Sequence, residues 1–421
     1  MRGNGQKASR KGSNQMTGFE RLERALLPFE LKLQAQEKLR RRLGVKEVDR
    51  PTYERYITGP IERFDRRKNA FMTLLPDNPF GADFRKRFKA RTGYDDWTEP
   101  LPYSEMEPED RVSLALAKAA RRPCFEYHPE PFPLTPPQGR LEVNDSAWMS
   151  RLIKKVGLFL GAEMVRITRV DQRWVYKDID IPHLYAILIV VSHVRSLNDT
   201  APSHLAWLST AHAYARLKMI TTQLTDFIQG LGYEAMYRET LGHNPEMLIV
   251  PMAIDAGIGE FARNGRVLSP EFGTNMRIKA VTTDLPLEVD KPISFGTHEF
   301  CMACENCAIY CPPRAIPFGP PTEEPITLHN NPGYRKWYIH AEKCLMFWAA
   351  NKKKWLSCGG RCMAVCPWNK ELSLLHNGIR RLAISSPQAL KKILAWMDRK
   401  VYHRTKKIGG GKNSSSAPPR P

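Results

Sequence analysis

Cysteine is the residue type in this chain best suited to chemistry, and eight of the nine cysteines lie between positions 301 and 366. The first four stand at Cys301, Cys304, Cys307 and Cys311, and a proline follows the last of them. This C-x2-C-x2-C-x3-C-P spacing is the bacterial dicluster pattern, in which three thiolates hold one [4Fe–4S] cluster and the fourth holds another. The run therefore predicts two clusters and an electron-transfer role.

A second group of cysteines supplies the remaining ligands. Cys358 and Cys362 are separated by three residues where two are usual, and the flexible Gly359-Gly360 pair can absorb the extra residue. Cluster two is therefore expected to be the less regular of the two. The predicted ligands of cluster one are Cys301, Cys304, Cys307 and Cys366, and those of cluster two are Cys311, Cys344, Cys358 and Cys362.

Disulfides and structural zinc are the other roles open to cysteines at this density. A disulfide framework is typical of small secreted chains, and it does not explain a tight run that ends in Cys-Pro. Structural zinc sites use paired C-x2-C hooks rather than a run of four. Both alternatives are therefore disfavoured.

The length and the charge of the chain limit the functions that are open to it. A chain of 421 residues has room for about two to three domains, and clusters alone need far fewer residues. The formal net charge of +20 favours an acidic protein partner, peripheral association with an anionic membrane, or nucleic acid. The longest apolar stretch, residues 184–191, is far shorter than the roughly 20 residues that a spanning helix needs.

Apolar periodicity places helices and strands around these residues. A basic amphipathic helix is predicted over residues 19–43, with an interruption near Pro28 and with Arg40-Arg41-Arg42 on a solvated face. The alternation of strands and helices after residue 150 indicates an α/β core. The predicted core elements are helices at 150–160 and 211–231, the second capped by Gly232, and strands at 164–168 and 185–191.

These elements divide the chain into four predicted parts. The first is a helical and aromatic-rich N-terminal region that ends in a Pro-rich linker (1–137), because the prolines of 128–137 exclude a helix or a central strand. The others are a core (138–294), a ferredoxin-like domain with both clusters (295–372), and a C-terminal helix with a disordered basic tail (373–421).

A succession of short motifs resembles the reductive dehalogenases over residues 150–372. The resemblance implies an α+β fold, in which a nitroreductase-like, cobalamin-binding α/β core carries an inserted dicluster ferredoxin-like module and a helical N-terminal region. The joint set of motifs is far more specific than any one of them. The motifs are Ala256-Gly-Ile-Gly-Glu260, Arg263-Asn-Gly265, Leu268-Ser-Pro-Glu-Phe-Gly-Thr-Asn-Met-Arg277, Thr283-Asp-Leu-Pro286, Asn331-Pro-Gly333 with Lys336-Trp337, and Cys366-Pro-Trp-Asn-Lys370.

The same resemblance implies a base-off cobalamin and a set of site residues. Tyr214 matches the catalytic tyrosine of the family, Arg277 matches a basic residue beside it, and Asn244 matches a pocket amide. A phenol has an unperturbed pKa of about 10, but a fixed cation stabilises its anion and lets it deliver a proton. Thr210 lies one helical turn before Tyr214 and is expected to face the same pocket.

Other residues of these motifs have predicted supporting roles. Gly257, Gly259 and Gly273 are predicted to bind the cofactor, because a glycine lets the backbone approach a large planar group. Glu260 and Asp284 are expected to pin loops by accepting backbone hydrogen bonds. His243 and His298 rank below Tyr214 as proton carriers.

The predicted function is removal of halide from a small organohalide by an oxidoreductase, with electrons passing through two [4Fe–4S] clusters to cobalamin. One alternative is an epoxyqueuosine reductase-like tRNA-modifying enzyme, a family with an acidic proton donor at the position of Tyr214 and Gly-Leu-Gly-Trp in place of Gly257-Ile-Gly-Glu260. The other is a non-catalytic dicluster electron carrier, which would hold iron but no cobalt.

The predicted partners and location follow from the same features. No flavin or plant-type ferredoxin module follows Lys370, so an external low-potential donor is expected, and an acidic ferredoxin or flavodoxin would suit the basic surface. Nucleic acid is disfavoured as a partner because the motifs match the dehalogenases better. The N-terminus has no apolar export segment, so the sequence predicts a cytoplasmic protein.

Overall fold

A four-stranded antiparallel sheet lies at the centre of the protein. The computed structural model describes residues 18–95, 108–126, 139–239, 245–351 and 360–402. The strands within these residues are β1 (Lys46–Glu47), β2 (Met164–Arg169), β3 (Tyr185–Ser192), β4 (Ala235–Arg238), β5 (Glu260–Phe261), β6 (Val267–Leu268), β7 (Met276–Thr283) and β8 (Ile293–Ser294). The central sheet has the order β2-β3-β7-β4, and β1 pairs with β8 and β5 with β6, all antiparallel.

The helices surround this sheet. Those of the N-terminal region and the core are α1 (Gly18–Ala25), α2 (Leu27–Leu43), α3 (Ala82–Thr92), α4 (Pro108–Glu126), α5 (Ser146–Phe159), α6 (Arg195–Asn198), α7 (His204–Gly230) and α8 (Ile249–Asp255). Those that follow are α9 (Thr297–Cys304), α10 (Asn306–Ile309), α11 (Ala341–Ala350), α12 (Arg361–Ala364), α13 (Leu374–Ser385) and α14 (Gln388–Tyr402).

Both faces of strand β3 are buried, which explains its unbroken apolar sequence. Successive side chains of a strand point to opposite faces. Ile187, Ile189 and Val191 accordingly pack with α5 and α7, whereas Leu188 and Val190 pack with α8 on the other side. The two predicted strands are confirmed, and the sheet that contains them is antiparallel.

Helix α7 is the longest helix of the core and carries the predicted catalytic tyrosine. It begins at His204, earlier than the predicted residue 211, because the Ser203 hydroxyl accepts a hydrogen bond from the Ala206 amide and caps the first turn. It ends at Gly230, and Gly232 follows in the left-handed conformation with a φ of +85°. The described part of α4 packs along it.

The basic N-terminal helix is interrupted as predicted, since α1 ends at Ala25 and α2 begins at Leu27 with Pro28 in its first turn. The prediction that all its arginines face solvent is wrong for Arg40. This guanidinium is buried, forms an ion pair with Glu271 and donates a hydrogen bond of 2.8 Å to the Gly257 carbonyl. A buried charge needs such a partner, and the pair ties α2 to the motif region.

The C-terminal part of the chain contains two helices where the sequence analysis expected one. Helix α14 packs along α9, which carries two of the predicted cluster ligands. The predicted tail beyond residue 402 and the Pro-rich linker at 128–137 lie outside the described residues. Within the described residues, no helix combines the length and the apolar character that crossing a bilayer requires.

Candidate active site and cluster module

The four predicted ligands of cluster one converge. Cys301 and Cys304 lie on α9, and Cys307 follows on α10. Glu305 separates the two helices in the left-handed conformation, with a φ of 53°, and so reverses the chain between the ligands. Cys366 arrives from the far end of the module, and all four cysteines line one cavity.

The chemistry of this cavity suits a metal cluster. Burial raises the pKa of Cys301 to about 11 and that of Cys366 to about 12, and it raises the pKa values of Cys304 and Cys307 well above the usual range. Thiolates crowded in an apolar cavity would repel one another, whereas a coordinating metal ion deprotonates its thiol ligands and compensates their charge. The residues present therefore fit an iron–sulfur cluster.

Three of the four predicted ligands of cluster two also come together. Cys311, Cys344 and Cys362 pack around Ala308, Ala315 and Ile316, and the Ala315 amide donates a hydrogen bond of 3.3 Å to the Cys311 sulfur. Such N–H···S bonds are one of the means by which proteins tune clusters. Cys358, the fourth predicted ligand, lies outside the described residues.

Arg263 contacts the backbone of the segment that carries the predicted ligands of cluster one. Its guanidinium is 1% exposed and donates two hydrogen bonds to the Cys301 carbonyl, at 3.1 and 3.0 Å. It also donates to the Pro317 carbonyl at 2.8 Å, lies 3.6 Å from the Glu305 carboxylate and stacks 4.6 Å from the ring centre of Trp337. The motif arginine therefore holds the backbone of Cys301, a predicted cluster ligand, in position.

All three predicted cofactor-binding glycines lie where a side chain would collide with other atoms of the protein. Gly257 has a φ of +68°, and a Cβ there would lie 2.1 Å from the Lys291 carbonyl oxygen. Gly273 has a φ of +59°, and a Cβ there would lie 2.0 Å from Asn369 Oδ1. A Cβ at Gly259 would lie similarly close to the Leu268 carbonyl oxygen. The space that a side chain would need is thus filled by protein atoms, which by itself accounts for glycine at these positions, and the predicted role of these glycines in cofactor binding stays a prediction.

Asn369 connects the motif that contains Gly273 with the Cys-Pro-Trp-Asn ending of the cluster module. Its Oδ1 accepts a hydrogen bond of 2.7 Å from the Thr274 amide, and its Nδ2 donates to the Met363 carbonyl at 2.6 Å. The missing side chain of Gly273 makes room for this amide. The cluster module is thereby joined to the segment that leads into β7.

Strand β7 places Arg277 against Tyr214. Arg277 lies opposite Val191 in the antiparallel register, so both side chains face α7. The Arg277 guanidinium carbon lies 5.2 Å from the centre of the Tyr214 ring. Burial lowers the pKa of Arg277 to about 10, nearby Tyr214 and Cys362 oppose that shift, and Arg266 adds to it. The guanidinium therefore stays a cation at neutral pH, near both the Tyr214 phenol and Cys362, a predicted ligand of cluster two.

Buried polar groups that the sequence analysis missed surround this pair. Within the described residues, Arg277 Nε, His193 Nε2 and Asn198 Oδ1 are buried and make no hydrogen bond. His193 Nδ1 lies 2.8 Å from Asn198 Nδ2, and burial beside Arg277 holds the pKa of His193 well below its usual range. A histidine directly after a wholly apolar strand was the available signal for this group.

Two buried lysines that share a partly exposed carboxylate lie on the same side of the sheet and were also missed. Lys279 Nζ lies 2.9 Å from both carboxylate oxygens of Glu239, and Lys218 lies 3.8 Å from the same carboxylate. Lys218 follows Tyr214 by one helical turn. A lysine within the strand Met276–Thr283, next to Ile278 and Ala280, was the sequence signal, because a buried lysine needs a charged partner.

The remaining predicted residues have separate outcomes. Glu260 accepts hydrogen bonds of 3.0 Å from the Phe295 and Thr297 amides, and Asp284 accepts one of 3.0 Å from the Leu184 amide, so their predicted loop-pinning roles are confirmed. His298 stacks on Tyr56 with ring centres 4.5 Å apart, away from Tyr214. Thr210 is half-buried on α7. Asn244 and His243 lie outside the described residues.

The sequence matches a family of known cluster proteins. Residues 300–370 match the 4Fe-4S dicluster domain family. This match covers every predicted cysteine ligand and supports two [4Fe–4S] clusters.

Curated relatives extend this likeness over the core. The tetrachloroethene reductive dehalogenase of Sulfurospirillum multivorans is 30% identical over 350 residues, which is 74% of this chain and 67% of that protein. An enzyme of the same name from Desulfitobacterium hafniense is 30% identical over 313 residues, with 62% and 55% covered. An epoxyqueuosine reductase of Synechocystis sp. matches only 28% of this chain, at 28% identity.

A solved structure agrees in fold with this chain. A catabolic reductive dehalogenase matches with a TM-score of 0.65 at 24% identity, over 85% of this chain and 49% of that one. The chain thus spans two thirds of the Sulfurospirillum relative and about half the length of the Desulfitobacterium enzyme and of this solved structure. Its sequence and fold together show that the chain belongs to the reductive dehalogenases, a family that depends on cobalamin.

Proposed function

We propose that the chain catalyses reductive dehalogenation of an organohalide. One molecule of R–X takes up two electrons and one proton; the carbon–halogen bond breaks, a carbon–hydrogen bond forms, and halide leaves. The observation that carries the proposal is the contact of buried Arg277 with Tyr214, beside Cys362 of the cluster module. The reaction needs electrons and a proton at the same carbon atom. Cys362 belongs to the predicted electron path, and Tyr214 with Arg277 forms the proposed proton donor.

Tyr214 is proposed as the proton donor. Its ring packs against the apolar core of α7 and β3, which holds it in one orientation. When the phenol gives up its proton to a carbon that has gained electron density, a phenolate remains. The Arg277 cation 5.2 Å from the ring centre stabilises that anion. Asn244 is proposed to position the substrate, and Thr210 to line the same pocket.

Cobalamin is the cofactor that the family implies, and the residues around the pair fit a large polar group. Buried Arg277 Nε, His193 Nε2 and Asn198 Oδ1 make no hydrogen bond within the described residues, and the amide rim of a corrin could satisfy such atoms. When bound, cobalamin would supply the cobalt that delivers electrons to the carbon–halogen bond. The protein contributes the position, the cation and the proton.

The two sets of cysteines differ in their relation to this site. Cys362, of the predicted cluster two set, lies close enough to raise the pKa of Arg277. The cluster one set lies against Arg263 and under α14. We therefore assign cluster two as the inner cluster and cluster one as the outer one. An external low-potential donor, a ferredoxin or a flavodoxin, is proposed to reduce the outer cluster, and the cytoplasm is proposed as the location.

The test is metal analysis followed by turnover. Protein reconstituted anaerobically with iron, sulfide and cobalamin should hold about eight irons and one cobalt per chain. It should release halide from tetrachloroethene or 3-bromo-4-hydroxybenzoic acid with reduced methyl viologen as donor. Iron without cobalt would identify an electron carrier. Cobalt with reduction of epoxyqueuosine-modified tRNA, and no halide release, would identify the tRNA-modifying alternative.

A further inference from the structure

Helices α13 and α14 present large apolar side chains that no other described part of the chain covers. Leu375, Ile379 and Leu382 are exposed on one side of α13, and Ile393, Trp396 and Met397 are exposed on one side of α14. The two helices are antiparallel, because His376 at the start of α13 lies 2.8 Å from the Tyr402 hydroxyl at the end of α14. So many large apolar side chains on one helical hairpin are typical of an interaction surface.

The opposite side of α14 packs directly on the cysteines of cluster one. Ala395 is fully buried in the same apolar cluster as Cys301 and Cys304. Arg399 donates a hydrogen bond of 3.1 Å to the Cys304 carbonyl. A partner on the exposed side would therefore be separated from cluster one by little more than one helix, which is about 10–12 Å thick with its side chains.

The charges around the apolar face are mainly positive. Lys392 and Lys400 are exposed on α14 next to Trp396, and Arg381 is exposed on α13. The Lys400 ammonium lies 5.8 Å from the centre of the Trp396 ring. Asp398 is not free to offset them, since it lies 3.6 Å from Lys370 and 3.2 Å from Asn306. A partner with an acidic rim would be complementary to this surface.

We infer that the exposed face of α13 and α14 is the docking surface for an acidic electron-carrier protein that reduces cluster one. The inference rests on the proposed function, because only a redox enzyme needs such a partner. In each encounter the reduced carrier loses one electron and cluster one gains it, and no covalent bond changes. Two encounters supply the electrons for one halide. The apolar centre provides affinity, and the lysine rim steers the encounter.

The test compares two electron donors on the full-length reconstituted enzyme. Cluster reduction is followed by stopped-flow absorbance, with a purified acidic ferredoxin or methyl viologen as the reduced donor. The test variant carries Ile393→Ser and Trp396→Ser, at side chains 52% and 53% exposed. The control variant carries Leu184→Ser and Met236→Ser, at side chains 55% and 49% exposed. Both variants remove exposed apolar groups, so both should fold.

The expected result is selective. The test variant should be reduced by ferredoxin about 10-fold more slowly or worse, as for loss of an aromatic anchor, and by methyl viologen at the wild-type rate. The control variant should match wild type with both donors. Lys392→Glu with Lys400→Glu should lower the ferredoxin rate and flatten its dependence on ionic strength.

Four outcomes would overturn the inference. An unchanged ferredoxin rate in the test variant would show that the carrier docks elsewhere, and a loss with both donors would show that the face supports the fold. A wild-type dimer that Trp396→Ser dissociates would assign the face to a second copy. Sedimentation of wild type, but not of Trp396→Ser, with phosphatidylglycerol vesicles would assign it to a membrane. Failure of halide release alone would refute the proposed function and leave the docking result intact.

Discussion

The cluster module and the proposed catalytic pair, Tyr214 and Arg277, are built in opposite ways. In the module, Cys301, Cys304 and Cys307 lie on α9 and α10, and one left-handed residue brings them together. In the core, Tyr214 on α7 and Arg277 on β7 are distant in sequence and meet because the register of the sheet directs Arg277 toward α7. The positions of these three cysteines are therefore set largely by local structure, whereas the contact of Tyr214 with Arg277 depends on the whole core.

This difference predicts how each region fails. Loss of one cysteine should remove a cofactor without disturbing the fold of the core. Loss of either member of the pair should leave the cofactors in place and remove the chemistry. The two regions are joined where Asn369 fills the space beside Gly273. The position of the cluster module relative to the core therefore depends on this contact.

The largest effect is expected for Cys304→Ser. The variant should lose about half of its iron, the share of one [4Fe–4S] cluster, together with turnover driven by a protein donor. Iron analysis and EPR of the reduced protein check this. Cobalamin binding should persist because Cys304 lies on α9, outside the central sheet and the helix that carries Tyr214. Retention of both clusters, or zinc in their place, would contradict the ligand assignment.

Tyr214→Phe should lower turnover by about 10²- to 10⁴-fold, the usual effect of losing a positioned general acid. The ring and its packing remain, so both clusters and cobalamin should bind as in the wild type. Arg277→Met should act in the same direction because the phenolate loses its cation. If the two act as a unit, the double variant will be little worse than either single variant. Wild-type turnover in Tyr214→Phe would make His243 the next candidate donor.

A smaller effect is expected where the N-terminal region joins the core. The Tyr53 hydroxyl donates a hydrogen bond of 2.6 Å to Asp255, and burial raises the pKa of this carboxyl to about 7. The folded state thus holds a proton that the unfolded state releases, so stability should fall as the pH rises from about 4 to about 7. Asp255→Asn should abolish this slope and raise the free energy of unfolding at pH 8 by about 2 kcal/mol.

Anaerobic thermal unfolding at pH 5 and pH 8 measures this effect. Asp226→Asn is the matched control, since the pKa of Asp226 is also raised by burial but the residue is more exposed. The control should change the pH dependence less. An unchanged slope in Asp255→Asn would show that Asp255 is ionised in the fold.

The smallest effect concerns the two clusters themselves. The ligand arm between Cys358 and Cys362 is one residue longer than usual. Cluster two should therefore lose its EPR signal a few-fold faster than cluster one on exposure to oxygen. Deletion of Gly359 should narrow the difference. Equal lability in the wild type would show that the longer arm is accommodated without strain.

Local patterns predicted much of the fold. The strands at 164–168 and 185–191 and the interruption of the N-terminal helix near Pro28 were predicted because period and proline act over a few residues. The single C-terminal helix was wrong, since the break at Ser386-Pro387 divides the segment. The solvated role of Arg40 was wrong because its partner Glu271 is distant in sequence.

For the site, the sequence by itself determined the family and the spacing of the cysteines from which the cluster ligands are predicted, because this spacing and the order of the motifs are properties of the linear sequence. The tertiary structure alone decided which face of β7 carries Arg277, that buried His193 and Lys279 adjoin the pair, and that the motif glycines make room for protein atoms. These features depend on strand register and on burial between distant segments. A single sequence does not show which distant segments pair; only the folded structure does.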